Sequence, residues 1–538
     1  MKSPILGQAY VARSINAADN RMVNLFPEAT PPGSKDTGFL NRAPGLRKLL
    51  AVGTGPIRAV WQDRSNDNYA YVVSGNEFYR IDTSYNLKLM GSLIGTSMTP
   101  VVISDNGYQL FLACNPEGYI YNKTTNAFQQ ITDPDFEGSV TVAYVDGYFV
   151  FNQPDSQAIW VTDLLNGLSI NPLNFASAES SPDNVVSVAV NNREIWIFGT
   201  NSTEVWYDAA LTGFPLAPIQ GAYNEVGCIA KYSVAKLDNS LFWLGADARG
   251  FGMVYRNQGY TATRISTHAI EYAIQSYEVV SDAIAYTYQQ EGHSFYVLTF
   301  PTVGKTWVYD VATQMWHERA AFIQGQFTRH RSNCQMNFNN LTVVGDYANG
   351  NLYALDLDVY DDSVEPQKWL RSWRALPQDA NNLTRTAQHT LQIDIESGVG
   401  INAFDANTVP AYIDTQNGLR LSVPSGGILL TESDDLIITE DDAYLDYEYT
   451  GLLVTNVHTA TAGFAPQVML RWSDDGGHTW SNEHWTSLGK LGLYGTRVFF
   501  RRLGMTTKLR DRVYEISGTD PVKIAIMAAE LQLNGTRS

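Results

Sequence analysis

The chain has 538 residues, of which 44% are hydrophobic and 17% are charged, and its formal net charge is −18. Single cores stop growing well below this length, so two or three domains are expected. The net charge argues against simple affinity for nucleic acid or an anionic membrane, and the low charged fraction indicates a surface partly covered by other subunits.

The first predicted element is an extended N-terminal arm over residues 1–54. Pro-Pro-Gly at 31–33 and Pro-Gly at 44–45 mark turns. Leu25, Phe26 and Leu46 offer apolar anchors, which favours an ordered arm over a disordered leader. The first residues lack the apolar region of a signal peptide. No uncharged apolar run reaches ~18 residues, so no membrane span is expected.

A repeat of paired strands predicts a β-propeller over residues 55–370. Aromatic and aliphatic strands recur at intervals of 39 to 54 residues, and a polar turn joins each to a second strand. This spacing is typical of propeller blades. Six or seven blades fit, because the N-terminal arm is a candidate for closing the ring. The first strands of the pairs start near Tyr69, Gln109, Tyr148, Ile195, Leu241, Phe295 and Leu341.

Aspartates at or near the ends of the second strands predict turns. An aspartate there can accept a hydrogen bond from the backbone two residues on. These residues are Asp82, Asp163, Asp208, Asp310 and Asp356.

One helix is predicted, with Ser266 or Thr267 as its N-cap. Ile270, Ile274 and Tyr277 would share one face, and Glu271 lies in the first turn. Helical periodicity is weak elsewhere.

A second β domain is predicted over residues 371–538, similar to a sandwich, with an acidic insertion around 401–465. It opens with an alternating segment at His389. Within the insertion, residues 428–442 repeat an apolar triplet followed by Thr-Glu and further acids. Clustered carboxylates suit Ca²⁺ or Mg²⁺, but the run lacks the central Gly of an EF-hand loop. The favoured interpretation is two short strands with acidic turns, exposed to a channel.

The formal motif match is Ser473 to Trp480, which fits the Asp-box of sialidases. Such a box is a hairpin turn: Asp475 caps backbone amides, Gly477 permits positive φ, and Trp480 packs beneath. It occurs once. A sialidase also needs an arginine clamp and a tyrosine nucleophile beside a carboxylate, and nothing in the sequence groups such residues. A structural turn is favoured.

The remaining polar residues form no catalytic motif. No HExxH, Walker A or GxSxG pattern occurs. No residue is therefore assigned a catalytic, cofactor-binding or metal-ligating role. The histidines are His268, His293, His317, His330, His389, His458, His478 and His484. The basic groups are Arg501-Arg502, residues 508–512 and Arg329 to Arg331, and salt bridges are favoured for them over nucleic-acid binding. Cys114, Cys228 and Cys334 are expected to be buried thiols.

Several segments resemble the tail-hub (nozzle) proteins of short-tailed DNA bacteriophages, also called packaged-DNA stabilisation proteins. Residues 401–465 do not fit the family pattern. The segments that carry the resemblance are 24–28, 43–46, 178–183, 199–208, 221–225, 238–245, 264–271, 293–301, 472–480 and 501–504.

The resemblance implies a structural subunit of the virion tail, assembled in the host cytoplasm. Such proteins form a homo-hexameric ring below the portal and its adaptor (the head-tail connector). The ring extends the DNA channel, retains the packaged genome, and provides attachment for tailspikes or fibres and a tail needle or plug. DNA passes without sequence-specific binding, and no membrane or cofactor is involved.

Two alternatives remain open. One is a carbohydrate-binding or sialidase-like propeller hydrolase, which three arginines around a Tyr-Glu pair would favour. The other is a cytoplasmic propeller scaffold that binds peptides, which an open groove on one propeller face would favour.

Overall fold

The computed structural model divides the chain into two compact units. We call Gly7–Ala29 with Ala43–Glu365 the propeller unit, and Met1–Leu6, Thr30–Arg42 and Pro366–Ser538 the sandwich unit. The structure describes residues 1–15, 18–63, 68–95, 98–178, 183–211, 213–363, 365–377, 385–401, 412–415, 420–422, 429–432, 435–438, 454–458, 462–507 and 512–535.

The described residues form fifty strands and one helix. The strands before the first blade are β1 (Lys2–Ser3), β2 (Tyr10–Val11), β3 (Asp19–Asn20), β4 (Met22–Val23), β5 (Leu25–Ala29), β6 (Gly38–Arg42) and β7 (Gly45–Ala51). The elements of the blades are β8 (Ile57–Gln62), β9 (Tyr69–Ser74), β10 (Glu77–Asp82), β11 (Leu87–Ser92), β12 (Val102–Asp105), β13 (Gln109–Ala113), β14 (Gly118–Asn122), β15 (Phe128–Gln130), β16 (Val142–Val145), β17 (Tyr148–Asn152), β18 (Ala158–Val161), β19 (Phe175–Ser177), β20 (Val185–Asn191), β21 (Glu194–Gly199), β22 (Thr203–Asp208), β23 (Leu216–Asn224), β24 (Gly227–Cys228), β25 (Ala235–Leu237), β26 (Ser240–Asp247), β27 (Gly250–Gln258), β28 (Thr261–Arg264), α1 (His268–Gln275), β29 (Ile284–Gln290), β30 (His293–Phe300), β31 (Lys305–Asp310), β32 (Met315–Ile323), β33 (Gln326–Arg329), β34 (Ser332–Phe338), β35 (Leu341–Asp346) and β36 (Asn351–Asp356). The remaining strands are β37 (Asp361–Asp362), β38 (Glu365–Pro366), β39 (Trp369–Arg374), β40 (Thr386–Ile395), β41 (Tyr412–Thr415), β42 (Arg420–Ser422), β43 (Leu429–Glu432), β44 (Asp435–Ile438), β45 (Val454–His458), β46 (Gln467–Ser473), β47 (His484–Ser487), β48 (Val498–Met505), β49 (Val513–Gly518) and β50 (Ala525–Gly535).

The propeller unit has seven blades. The predicted all-β propeller is therefore confirmed, with seven blades and not six. Blades 1 to 4 are the antiparallel sheets β8–β11, β12–β15, β16–β19 and β20–β23. Blade 5 comprises β24–β28, blade 6 is built on β29–β32, and blade 7 combines β34–β36 with β7. Seven buried apolar clusters each lie between neighbouring blades, including blades 7 and 1. The ring is therefore closed by packing all the way round.

Strand β7 closes the ring as the fourth strand of blade 7, with the two-residue strand β37 paired on its other side. It pairs antiparallel with β36, from Gly45 opposite Asp356 to Ala51 opposite Asn351. An early segment of the chain therefore holds the last blade in place. The expected anchors Leu25, Phe26 and Leu46 are all buried, and Phe26 and Leu46 lie in the cluster between blades 6 and 7.

The side-chain bond predicted for the aspartate turns occurs at four of the five positions. Asp82, Asp208, Asp310 and Asp356 each accept a hydrogen bond from the backbone N–H two residues on, at 2.8 to 3.0 Å.

Asp163 also begins a turn, in which its carbonyl accepts from the N–H of Asn166 at 3.1 Å, but the predicted side-chain bond two residues on is replaced. The N–H of Leu165 donates instead to the Gly147 carbonyl at 2.9 Å. Asp163 forms a β-bridge with Asn166 and accepts from the Ser169 hydroxyl at 2.6 Å. The chain reverses direction at the bridge between Asp163 and Asn166, and this reversal replaces the turn that an Asp163 side-chain bond would have formed.

The predicted helix is confirmed as α1, and Thr267 is its N-cap. Ile270 and Ile274 are buried in the cluster between blades 5 and 6, with Tyr277 packed against it. Glu271 accepts hydrogen bonds from the guanidinium of Arg264.

The sandwich unit contains two antiparallel sheets. One has β40 between β48 and β50, with β1 and β6 pairing along the far edge of β50. The other has the order β39-β49-β46-β47. Tyr514 on β49 donates a hydrogen bond to Gln388 on β40, which joins the two sheets. The predicted sandwich-like C-terminal fold is confirmed.

The acidic repeat contains the two short strands expected for it. β43 and β44 pair antiparallel, with Leu429 opposite Ile438 and Glu432 opposite Asp435. The rest of residues 428–442 lies outside the described part of the chain, so channel exposure stays a prediction. In the described ranges, no helix combines the length and the apolar character that a membrane span requires.

Candidate functional site

The Asp-box segment forms the tight structural turn that its sequence predicted. One carboxylate oxygen of Asp475 accepts from the backbone N–H groups of His478 (3.0 Å) and Thr479 (2.9 Å). Its oxygens also accept from the hydroxyls of Ser473 and Thr479, both at 2.6 Å. These bonds hold the pKa of Asp475 well below its usual range. Gly477 has φ of 103°, the positive value that the turn needs.

Trp480 lies beside the turn, where it meets an arginine. The guanidinium of Arg471 sits 4.7 Å from the centroid of the Trp480 ring and also donates to Glu515 at 2.6 Å. Arg471 and Glu515 connect the turn to strands β46 and β49. The Asp475 carboxylate makes its hydrogen bonds within the turn.

The C-terminal basic groups divide into one buried residue and two exposed ones. Arg512 is buried, donates to both carboxylate oxygens of Asp474 at 2.6 and 2.8 Å, and stacks on Trp472. Arg501 and Arg502 are exposed on β48, and Arg501 lies over Phe499. Aromatic rings therefore accompany these arginines. Residues 508–511 lie outside the described part.

The third basic group, Arg329 to Arg331, makes contacts within blades 6 and 7. Arg329 donates to Asn333 at 3.0 Å and lies 4.2 Å from the Tyr347 ring. Arg331 pairs with Asp346 at 3.5 Å. The expected structural role in ion pairs fits this geometry.

Three histidines are closer together than the sequence suggested. Nδ1 of His293 lies 2.8 Å from Asp310, which raises the pKa of His293. The ring of Phe26 lies 5.2 Å from His293 and 6.3 Å from His317. His330 is buried in the same seam between blades 6 and 7. The described residues contain no group of three or more His, Cys, Asp or Glu that could hold a metal ion.

The other histidines lie apart from this seam. His268 is on α1, His389 is on β40, His458 is on β45, His478 is in the Asp-box turn and His484 is on β47. All three cysteines are free, and burial raises the pKa of each thiol.

A cavity of about 610 Å³ lies along the innermost strands of blades 1 to 5. We call it the axial cavity. Its walls are mainly small apolar residues, among them Ala143, Val188 and Ala235. At its edge the ammonium of Lys123 bridges Asp63 (2.7 Å) and Asp105 (2.6 Å). The cavity is an open apolar space with a fixed ionic edge.

A second cavity of about 340 Å³ lies between blades 4 and 5, and we call it the blade 4–5 pocket. Three turns surround it: β20–β21, β25–β26 and β27–β28. Sequence reasoning missed this site, because its lining residues are spread over about seventy positions of the sequence. Asn-containing turns are the only signal that marks them. Its lining comprises Asn191, Asn192, Glu194, Trp196, Asn239, Ser240, Arg256, Asn257, Gln258, Gly259 and Tyr260.

The blade 4–5 pocket contains a Tyr-Glu pair but departs from a sialidase site. The hydroxyl of Tyr260 donates to Glu194 at 2.6 Å. This bond raises the pKa of Tyr260, and it places a carboxylate beside the tyrosine, as a sialidase nucleophile needs. Arg256 is the one arginine among the lining residues, so a three-arginine clamp is missing from the described pocket.

Blade 3 presents a group of exposed large apolar side chains, which we call the blade 3 patch. Leu164, Leu165, Leu173 and Phe175 are 45% to 75% exposed, and Phe175 stacks on Trp160 at 5.0 Å. Grouped apolar exposure of this kind marks interaction surfaces.

Both parts of the chain match models of a phage protein family. Residues 1–360 match the model described as "Bacteriophage P22 Gp10, beta-propeller". Residues 441–534 match the model described as "Bacteriophage P22 Gp10, beta-sandwich". No curated protein sequence matches the chain.

Solved structures with a likeness to the chain are distant in sequence. A virginiamycin B lyase from Staphylococcus aureus is 9% identical, covering 58% of this chain and 98% of its own, with a TM-score of 0.41. A chain of a mitotic checkpoint complex is 14% identical, covering 62% and 97%, with a TM-score of 0.38. No functional conclusion follows from likenesses of this size.

Proposed function

The chain belongs to the family of bacteriophage P22 Gp10 and is a phage tail structural protein, and from this premise we propose that it is the subunit of a tail-hub ring. The ring extends the DNA channel below the portal and adaptor and retains the packaged genome. The observation that carries the proposal is the match of the propeller and the sandwich to the same family, in the same chain.

The proposed assembly is a homo-hexamer in the virion tail, built in the host cytoplasm. Its proposed partners are the portal-adaptor protein, tailspikes or fibres, and a tail needle or plug. In domain terms, we propose that residues 1–54 act as the arm, 55–370 as the propeller and 371–538 as the C-terminal domain with the acidic insertion.

The surface chemistry supports a subunit of a larger assembly. A cyclic ring uses head-to-tail contacts, in which one surface of a subunit meets a different surface of its neighbour. The blade 3 patch supplies apolar area for such a contact. The net charge of −18 supports a channel through which DNA slides without adhering.

The test is the assembly state, measured by native mass spectrometry and electron microscopy with and without the adaptor protein. We expect a six-subunit ring that docks on the adaptor. The variant Leu173→Asp should weaken subunit association while leaving the melting temperature of the subunit unchanged. Tyr108→Asp, another strongly exposed position on blade 2, is the matched control. A persistent monomer in the presence of adaptor would refute the ring.

A second candidate, a propeller scaffold that binds peptides, is favoured by the axial cavity alone. Its open apolar walls at the innermost strands suit an extended apolar segment. In that case the purified chain stays monomeric, and Ala189→Trp, at a half-buried wall position of the cavity, abolishes peptide capture. Under the ring proposal the same substitution leaves assembly intact.

A further inference from the structure

We propose that the blade 4–5 pocket is a binding site for a neutral saccharide. Its volume of about 340 Å³ lies within the range of small-molecule sites and suits one or two sugar rings. The proposal concerns binding and not hydrolysis, because the described lining has one arginine where a sialidase clamp needs three. It is independent of whether the chain forms a ring.

The polar lining fits hydroxyl groups and disfavours a charged ligand. Five side-chain amides line the pocket. The amide of Asn257 already accepts from the Leu241 N–H at 2.6 Å and donates to the Gly259 carbonyl at 2.9 Å. That of Asn191 donates to the Asn239 carbonyl at 3.0 Å. The other three amides each offer donors and an acceptor in one plane. Sugar hydroxyls also donate and accept, so adjacent hydroxyls can pair with an amide at both atoms. The two charged lining residues, Glu194 and Arg256, have opposite sign. The lining therefore offers dense hydrogen bonding without a net charge.

Two buried polar atoms of the pocket residues have no hydrogen-bond partner within the described chain. They are the acceptor Oδ1 of Asn191 and the donor Nε1 of Trp196, on side chains that are 2% and 1% exposed. Buried polar groups are normally paired by protein, water or ligand. A ligand hydroxyl can bond to either atom. A ligand carboxylate can bond only to the Trp196 donor, and a ligand ammonium only to the Asn191 acceptor.

Tyr260 forms a fixed aromatic platform at the edge of the pocket. The ring is 42% exposed, and its hydroxyl is held by Glu194 at 2.6 Å. Its carbonyl accepts from the side chain of Asn224 at 2.6 Å. The neighbouring Gly259 carbonyl accepts from Asn257 at 2.9 Å. A platform fixed before binding reduces the entropy lost when an apolar sugar face stacks on it.

The test is saturation-transfer NMR with the full chain, using N-acetylglucosamine and methyl glucoside as free probes. We expect millimolar binding of at least one of them. Tyr260→Ala should weaken binding about tenfold, which corresponds to ~1.4 kcal/mol. Trp196→Phe keeps an aromatic side chain at this position but removes the indole N–H, and should weaken binding several-fold. Tyr223→Ala removes a tyrosine that is also 42% exposed but lies outside the pocket, and should leave binding unchanged.

A second arm uses intact bacterial lipopolysaccharide to distinguish a cell-surface glycan from a free sugar. Tyr260-dependent binding of lipopolysaccharide identifies a surface glycan as the source, and binding of the free probes alone identifies a soluble saccharide. The proposal is overturned if neither the free probes nor lipopolysaccharide bind. It is equally overturned if Tyr260→Ala and Tyr223→Ala bind alike, or if the pocket accepts only a peptide or an acidic sugar.

Discussion

The seam between blades 6 and 7 contains buried titratable side chains beside its apolar cluster. His317, Arg319 and His330 are each at most 2% exposed there. Burial, followed by the charge of Arg319, lowers the pKa of both histidines, to about 3 for His330. Both rings are therefore neutral at neutral pH. The last blade closes the ring at a seam that carries a buried cation beside two neutral imidazoles.

The first prediction concerns acid sensitivity at His330. Its folded pKa of about 3 lies below the unfolded value, so the unfolded state binds more protons between pH 6.5 and 3. Stability should therefore fall as pH falls through that window, by about 2–3 kcal/mol between pH 6.5 and 4.5 from this group. His330→Gln should flatten this part of the pH profile of unfolding. His268→Gln, at a side chain 86% exposed, should retain the wild-type slope. Equal slopes in the two variants would contradict the assignment.

The second prediction concerns the charge of Arg319. None of its three guanidinium nitrogens has a hydrogen-bond partner among the described residues. Its contacts are with the rings of Tyr288 (5.6 Å) and Phe295 (5.5 Å). Replacing a buried charge by an apolar residue of similar size is often neutral or stabilising by about 1–4 kcal/mol. Arg319→Met should accordingly raise the denaturation midpoint, whereas Arg319→Ala should lower it by leaving a cavity. A large loss with Met would show that the guanidinium has a strong partner.

Single residues were predictable where the cause is local. Asp82 and Asp208 could be assigned to turns because an aspartate at a strand end needs only its own next residues. At Asp163 the predicted side-chain bond is replaced because a bridge to Asn166 redirects the chain. His317 and His330 both lie near Arg319 because of how the strands pair, and the spacing of residues in the sequence does not record that.

Among the elements, the middle strands of the blades were predictable and the outer ones were not. The strands recognised from sequence, such as β13, are buried along their whole length, so they form continuous apolar runs. An outer strand such as β11 is mostly exposed and has no such run. The closing role of β7 was left open, because its partner β36 lies about 300 residues away.

The third prediction tests closure by β7. A Cβ added at Gly45 would lie 2.4 Å from the backbone carbonyl oxygens of Val359 and Asp361, which cannot move like a flexible side chain. Gly45→Ala should therefore push β7 away from the 359–361 segment and destabilise blade 7 by about 1–3 kcal/mol or more. Gly250→Ala, where nothing lies within 4 Å, is the matched control. The readouts are the melting temperature and protease cleavage within blade 7. Identical stability of the two variants would show that β7 does not hold blade 7 in place.

On the scale of the whole molecule, architecture and charge were predictable for different reasons. The propeller follows from a repeat that spans the whole first part of the chain. The net charge of −18 is simply a sum over residues. The blade 4–5 pocket was not predictable, because it exists only where turns from two blades meet. Because the chain carries this net negative charge, we expect it on average to repel DNA.

The fourth prediction is that the chain does not retain DNA, even at low salt. Binding to the DNA backbone requires cationic side chains that displace counterions, and its affinity falls steeply with salt. The exposed pair Arg501 and Arg502 is the basic group best placed to act in this way. Gel-shift measurements at about 50 mM salt should show no complex, and Arg501→Gln with Arg502→Gln should change nothing. If DNA is retained, a salt-dependent complex that this double variant abolishes would locate a binding site on β48. A sliding channel would then be the wrong description, because a charged site on each subunit would hold the genome in place.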